Sequence, residues 1–150
     1  MNSSNLLSRQ GHRLLQIGVA LFLFTSFEGF VIPYFAAPIL GRSTHSLSAL
    51  LGVMLIALGF LWPRLTLREA AAQIAFWFLI YSGFAIVIAF LLAAFWGAGN
   101  SNMPLAAGTA RGSAFQENTI KAVAYSSAPT GIVSFALILW GRRIVRSEPS

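Results

Sequence analysis

Glu28 is the residue whose placement most directly suggests chemistry. It lies inside a mostly apolar run from Leu14 to Leu40. An ionised carboxylate within a membrane span costs roughly 2.5–3.5 kcal/mol or more unless it is paired, hydrated or protonated, so such a residue usually has a function. Three roles fit Glu28: a proton-transfer group, the coupling carboxylate of an exporter, or a structural acid bonded to a neighbouring helix.

His45 lies at or just before the start of a second apolar segment. At helical spacing the same face carries Ala49, Gly52, Ile56 and Gly59, which are mostly small. This pattern fits an axial metal ligand with room beside it, near Ala49 and Gly52, for a planar macrocycle. It also fits a histidine at the level of the lipid headgroups, with the glycines serving contact between helices.

Further polar side chains could contact a ligand. Tyr81 lies in the middle of an apolar segment and could donate a hydrogen bond to a substrate or to Glu28, or it could be a core tyrosine with a local partner. Arg111, Gln116 and Glu117 form a compact polar set that fits a lid, a segment that binds a carboxylate or propionate, or a solvated loop.

The elements that position these side chains are membrane helices. The chain has 150 residues, of which 57% are hydrophobic and 9% charged, and a span needs about 20 mostly apolar residues. We therefore predict an all-α integral membrane protein, a four-helix bundle in a single domain over residues 1–150. The predicted spans are Leu14–Leu40, Leu47–Trp62, Ala70–Trp96 and Ala122–Trp140.

The segments between the spans have distinct compositions. Gly41–Thr44 reads as a short outer turn, in which Ser43 or Thr44 caps the second span, and Pro63 should end that span. Residues 97–121 read as a long outer loop, and loops of this length are usually functional or disordered. The fourth span carries small polar residues that favour interhelical hydrogen bonds: Ser126, Ser127, Thr130 and Ser134.

Composition and charge exclude several classes of function. The chain has no cysteine and no aspartate, which excludes disulfides, thiolate ligation of haem, Ser-His-Asp triads and aspartate-based Mg²⁺ sites. The net charge is +6, and the basic residues are distributed unequally between the two predicted sides of the membrane. By the positive-inside rule this asymmetry predicts both termini in the cytoplasm. The basic residues are then signals of topology, and we expect no nucleic-acid surface. One side carries Arg9, Arg13, Arg64, Arg68, Arg142, Arg143 and Arg146, and the other carries Arg42, Arg111 and Lys121.

Several short motifs are spread along nearly the whole chain. They are Gly11-His12, His45-Ser46, Gly52, Pro63, and the stretch from Arg111-Gly112-Ser113-Ala114-Phe115-Gln116-Glu117 through Ser126-Ser127-Ala128-Pro129-Thr130-Gly131. These motifs resemble those of a known family, the hydroxylaminobenzene mutases, which rearrange phenylhydroxylamine to 2-aminophenol in bacterial nitroarene degradation. The resemblance implies an isomerase in the bacterial inner membrane.

A more distant resemblance is to styrene oxide isomerase, a four-helix membrane enzyme that binds haem b between the subunits of a trimer. Its haem-ligating histidine lies in a His-Ser…Gly…Pro stretch similar to His45, Ser46, Gly52 and Pro63. The resemblance implies haem b with His45 as axial ligand to the iron, and a homo-oligomer, expected to be a trimer. The asparagine and tyrosine near the epoxide oxygen of that isomerase are not matched, because Leu51 and Phe90 stand there.

The mechanism that these resemblances imply uses haem iron as a Lewis acid. Glu28 and Tyr81 are the candidate catalytic residues, for moving a proton or stabilising a cationic ring, and Gly52 and Arg111 join His45 as candidate cofactor-binding residues. The alternatives are an epoxide isomerase, a small proton-coupled multidrug exporter and a membrane scaffold without activity. The long outer loop and the asymmetric basic residues speak against the exporter.

Overall fold

The computed structural model describes residues 3–142, which contain helices and no strand. The long helices are α1 (Ser3–Val31), α2 (Pro38–Leu61), α3 (Glu69–Trp96) and α5 (Ala114–Gly141), and α4 is a short turn of helix (Pro104–Ala107). Four helices in this part of the chain are long and apolar enough to cross a membrane, which confirms the predicted fold class. Arg143 and Arg146, used in the prediction of topology, lie outside the described residues.

The helices differ from the predicted spans at the first connection. The predicted turn at Gly41–Thr44 is wrong, because these residues lie inside α2, which begins at Pro38 after a short 3₁₀ turn (Ile32–Tyr34). The Thr44 hydroxyl therefore does not cap the helix but donates to the carbonyl of Leu40, 2.9 Å away. A proline is favoured in the first turn of a helix, where its missing N–H has no partner to lose.

This shift moves both candidate residues along their helices. His45 lies two turns inside α2 and not at its start. Glu28 lies in the last turn of α1 and not in the middle of a span, because α1 ends at Val31. Both residues are toward the distal end of the bundle, which we define as the end at which α1 and α3 end and α2 and α5 begin.

The second half of the chain also departs from the predicted limits. The helix α2 ends at Leu61, before Pro63, as predicted. The fourth long helix begins at Ala114, eight residues earlier than the predicted span at Ala122. Ser113 and Gln116 form a capping box there, since the Ser113 hydroxyl accepts from the Gln116 N–H and the Gln116 side chain accepts from the Ser113 N–H.

Glycines bring α1 and α2 into backbone contact. A Cβ built on Gly18 would lie 2.8 Å from the carbonyl oxygen of Gly52, and one on Gly11 would lie 2.8 Å from that of Gly59. Such distances leave no room for a methyl group, so the helices pack backbone to backbone along this line. In a bilayer, helices associate through close van der Waals packing of this kind, because lipid offers no hydrophobic driving force.

Hydroxyl groups join α3 to α5, as the composition of the fourth span predicted. The Ser134 hydroxyl donates to the carbonyl of Ala75 and that of Ser82 donates to the carbonyl of Ser127, both at 2.8 Å. These bonds cross between helices, while the Ser127 and Thr130 hydroxyls bond to carbonyls of α5 itself around Pro129. The bundle therefore consists of two helix pairs, α1 with α2 and α3 with α5, which are joined by the packing of α2 on α3.

Candidate functional site

Three residues at the distal end form the candidate site. Within residues 3–142, the enclosed side-chain atoms without a hydrogen-bonding partner are both carboxylate oxygens of Glu28, Nδ1 of His45 and the hydroxyl of Ser48. Buried polar groups are normally paired, and an unpaired one costs about 1–3 kcal/mol. Such a cluster therefore needs a reason, and an absent ligand or a catalytic role is a common one.

The packing of α2 on α1 sets the position of His45. A Cβ built on Gly29 would lie 3.4 Å from Cε1 and 3.7 Å from Nδ1 of His45, so the imidazole ring lies against α1 at Gly29, the residue that follows Glu28. Ser48 is three residues after His45 and shares its side of α2. Ser48 is not among the residues predicted from the sequence, although its spacing from His45 is a usable signal.

The imidazole of His45 has one enclosed edge and one accessible edge. Nδ1 is enclosed, yet the residue as a whole is only half-buried. Nε2 is not among these enclosed atoms, so it is the accessible nitrogen of the ring and the one available to a metal ion. Metal-ligand clusters of three or more His, Cys, Asp or Glu residues are absent from the described chain, so His45 would ligate singly.

The space predicted beside Gly52 is filled by α1. A Cβ on Gly52 would lie 3.1 Å from the carbonyl oxygen of Gly18 and 3.2 Å from the ring of Phe22. Gly52 thus serves the contact between helices, as in the alternative interpretation of the glycine pattern. A macrocycle bound to His45 would have to lie outside the contact between α1 and α2.

Tyr81 is not brought to the cluster. Its hydroxyl donates to the hydroxyl of Ser126 on α5, 2.8 Å away, and half of its surface is exposed. The hydroxyl is therefore satisfied locally, and the bond links α3 to α5. The structure thus places Tyr81 in the other helix pair from Glu28, which is on α1.

An apolar cavity of about 370 Å³ opens between α1 and α3. Its lining includes Phe24, one turn before Glu28 on α1, and Phe84 on α3. Pockets for small ligands usually start at about 300 Å³ and are mostly apolar. The cavity can take an uncharged, flat aromatic molecule that arrives through the bilayer.

Glu117 has a structural role that the sequence argument missed. Its carboxylate accepts N–H bonds from Gly99 (2.9 Å), Asn100 (3.3 Å), Ser101 (3.1 Å) and Gly112 (3.1 Å). Successive backbone N–H groups that converge in this way form a typical anion-binding nest. Glu117 therefore holds the two ends of the connection between α3 and α5 together.

Arg111 is exposed in that connection, next to Gly112. It has no ion pair or hydrogen bond within the part of the chain that the structure describes. Gln116 caps α5 and Glu117 binds backbone, so the compact polar set divides into structural residues and one free cation. A capping-box pattern, Ser-x-x-Gln before an apolar run, was the signal that could have assigned the first of these roles.

Comparisons with known proteins relate the chain to membrane isomerases and mutases by sequence. Residues 10–143 match the family model for styrene oxide isomerase. Hydroxylaminobenzene mutase HabB of Ectopseudomonas oleovorans is 46% identical over 138 residues, which cover 92% of this chain and 82% of that protein. Hydroxylaminobenzene mutase HabA of the same organism is 34% identical over 128 residues, which cover 85% and 95%. No solved structure matches the chain significantly.

Proposed function

The chain belongs to the styrene oxide isomerase family, and from this premise we propose that it is a membrane isomerase that converts hydroxylaminobenzene (phenylhydroxylamine) to 2-aminophenol. The names of the two mutases to which it is similar support this reaction. The observation in the structure that carries the proposal is that Glu28, His45 and Ser48 have enclosed polar atoms without partners at the same end of the bundle, with the His45 ring against α1 at Gly29.

The reaction needs groups that move protons without water. In the rearrangement the N–O bond breaks, a C–O bond forms at the ortho carbon, the ortho proton leaves and the nitrogen gains a proton. A carboxylate in an enclosed site can accept the first proton and return one to nitrogen. Glu28 is enclosed and has no competing partner, and a dry site discourages water from attacking a cationic ring.

His45 would hold the iron of haem b, because one edge of its imidazole is enclosed and the other accessible. Haem iron bound there would supply a Lewis acid for the departing oxygen. This chain's own helices do not enclose a macrocycle beside Gly52. We therefore propose that further copies of the chain cover it in a homo-oligomer, expected to be a trimer, with the exposed Arg111 as a candidate partner for a propionate.

The first experiment measures conversion directly. Protein purified in mild detergent is incubated anaerobically with phenylhydroxylamine, and 2-aminophenol is followed by chromatography against a boiled sample. We expect conversion without added oxidant or reductant, because substrate and product are isomers. Absence of 2-aminophenol from a folded sample that contains haem would refute the proposed substrate.

Substitution of the two histidines tests whether His45 binds haem. His45→Ala should remove both activity and the Soret absorbance, whereas the matched control His12→Ala, at an exposed position near the other end of α1, should keep both. An active enzyme without Soret absorbance would refute haem and leave the isomerase. If His45→Ala kept its spectrum, another residue would hold the iron.

A second candidate substrate class is the epoxides, because the matching family model is named for styrene oxide isomerase. The same sample, offered styrene oxide, would then yield phenylacetaldehyde. We propose phenylhydroxylamine ahead of it, since both similar proteins are named as mutases and Leu51 and Phe90 lack the polar groups of the epoxide enzyme.

We also propose the bacterial inner membrane as the location, with both termini in the cytoplasm. The chain has no native cysteine, so single cysteines placed at Ser4 and at Thr109 report sidedness in intact cells. Labelling of the Thr109 position alone by a membrane-impermeant maleimide would support this topology, and labelling of Ser4 alone would reverse it.

A further inference from the structure

A cavity at the proximal end of the bundle, where α1 and α3 begin, has a polar lining that the isomerase reaction does not use. It has a volume of about 170 Å³ and is lined by Arg9, Arg13, Gln10, Gln73, Phe76, Trp77 and Leu6. Arg9 and Arg13 are one turn apart on the same side of α1. Neither guanidinium has an ion pair or a hydrogen bond within residues 3–142.

A chain of hydrogen bonds sets the polarity of this cavity. The Trp62 indole N–H, which can only donate, donates to Oε1 of Gln10 at 3.0 Å. The amide nitrogen of Gln10 must then face α3, where it donates to Oε1 of Gln73 at 3.4 Å and to the carbonyl of Ala72 at 3.5 Å. Because the Gln73 oxygen is used, its amide nitrogen is the group left to bond with a ligand.

The polar groups left free around the cavity are therefore all donors: two guanidinium groups, the amide N–H₂ of Gln73 and the indole N–H of Trp77, for which the described chain supplies no acceptor. A site with donors and positive charge alone selects an anion. Guanidinium pairs bind phosphate oxygens especially well, through parallel charge-assisted bonds. A neutral hydroxylamine offers no charge to this site, so it is distinct from the proposed reaction centre.

We propose that this cavity binds the phosphate group of an anionic phospholipid. Arg9 and Arg13 directly precede the apolar run that begins at Leu14, which puts them at the level of the headgroups. Tryptophan is enriched at the same level, and basic pockets between membrane helices bind anionic headgroups. The apolar part of the lining, Leu6, Phe76 and Trp77, can contact the glycerol and the first acyl carbons.

The test measures lipid binding to the full-length protein, without substrate. Detergent-purified protein is titrated with dioleoylphosphatidylglycerol, and bound lipid is counted by native mass spectrometry. We expect tighter binding than of dioleoylphosphatidylcholine. Arg13→Gln should weaken phosphatidylglycerol binding about tenfold, since an arginine–phosphate bond contributes that order of affinity.

Gln73→Glu gives a second, nearly isosteric test. The new carboxylate can still accept the bond from Gln10, but it replaces the free amide donor by a negative charge, so phosphatidylglycerol binding should fall at least as far as in Arg13→Gln. The matched control is Arg64→Gln, which removes the same charge from an exposed position outside the cavity lining and should leave binding within about twofold. Unfolding temperatures without lipid establish that each variant is folded.

Two results would overturn the proposal. If Arg64→Gln weakened binding as much as Arg13→Gln and Gln73→Glu, the basic end of the protein would attract anionic lipid without a defined site. If inorganic phosphate competed with the lipid at similar concentrations and with the same sensitivity to Arg13→Gln, the ligand would be free phosphate and the lipid assignment would fail. Neither outcome bears on the isomerase activity, which is measured separately.

Discussion

Glu28 and Glu117 are two enclosed glutamates at the distal end of the bundle, and their surroundings are opposite. Glu28 is 4% exposed and has no hydrogen-bonding partner within residues 3–142. Glu117 is 9% exposed and accepts four backbone N–H bonds. A glutamate thus stabilises the structure where backbone N–H groups bond to its carboxylate. Where no such groups are present, the carboxylate remains able to accept a proton from a substrate.

The largest effect should come from removing the proton-transfer group. Glu28→Gln keeps the size of the side chain but cannot accept and return a proton, so we expect turnover of phenylhydroxylamine to fall about 100-fold to 10,000-fold. The measurement is 2-aminophenol formation at saturating substrate. If the folded variant kept more than half of the wild-type turnover, Glu28 would not be the proton-transfer group.

The next effect concerns stability at the other glutamate. Glu117→Ala leaves four N–H groups without their acceptor, and partial access to water keeps the expected loss at about 2–4 kcal/mol. Thermal unfolding in detergent should show it. Glu69→Ala is the matched control, since Glu69 is exposed in the first turn of α3 and should contribute only about 0.3–1 kcal/mol. Equal losses in the two variants would contradict the structural role of Glu117.

Steric crowding between α1 and α2 should have a smaller effect. In Gly18→Ala the new Cβ would lie 2.8 Å from the carbonyl oxygen of Gly52, so the helices must separate, at a cost of about 1–3 kcal/mol. The position of His45 against α1 should change with it. Turnover should therefore fall by more than the loss of folded protein explains. Val19→Ile, on the exposed side of α1, should change neither.

Substitution of glutamine for Glu28 and for Glu117 should change the free energy of unfolding in different ways. Glu117→Gln puts an N–H₂ group against backbone donors and should lower stability by about 1–2 kcal/mol. Glu28→Gln replaces an unpartnered carboxylate by a neutral group, so its stability should stay within about 1 kcal/mol of wild type or rise. Unfolding of both variants under one condition checks this. A loss of several kcal/mol in Glu28→Gln would mean that Glu28 is a structural acid.

The smallest effect is expected at Tyr81. Tyr81→Phe removes the bond to Ser126 that links α3 to α5, which should lower stability by about 0.5–1.5 kcal/mol. Turnover should change less than threefold, since one neutral hydrogen bond away from the reacting atoms does not affect the barrier. A hundredfold loss of turnover with unchanged stability would instead return Tyr81 to the catalytic residues.

The sequence by itself determined the number and kind of the long elements. Hydropathy is a property of consecutive residues, and lipid accepts only elements that satisfy their own backbone, so four apolar segments without alternation predict helices. The end of α2 before Pro63 follows equally from local sterics. The start of α2 was predicted too late because Gly, Arg, Ser and Thr at 41–44 resemble a turn, whereas their hydroxyls bond to carbonyls of the same helix.

Only the tertiary structure decided which polar groups have partners. Glu28 and Glu117 are both enclosed acids, and what distinguishes them is a set of N–H groups up to 18 positions from Glu117 along the chain. The small residues around Gly52 fit either room for a cofactor or contact between helices, and the approach of Gly18 and Phe22 from α1 decides for the contact. The amide N–H₂ of Gln73 is free because Trp62 donates to the oxygen of Gln10, and the nitrogen of Gln10 donates to the oxygen of Gln73. Each bond fixes which atom of the next amide is the donor, and only folding brings these three residues together.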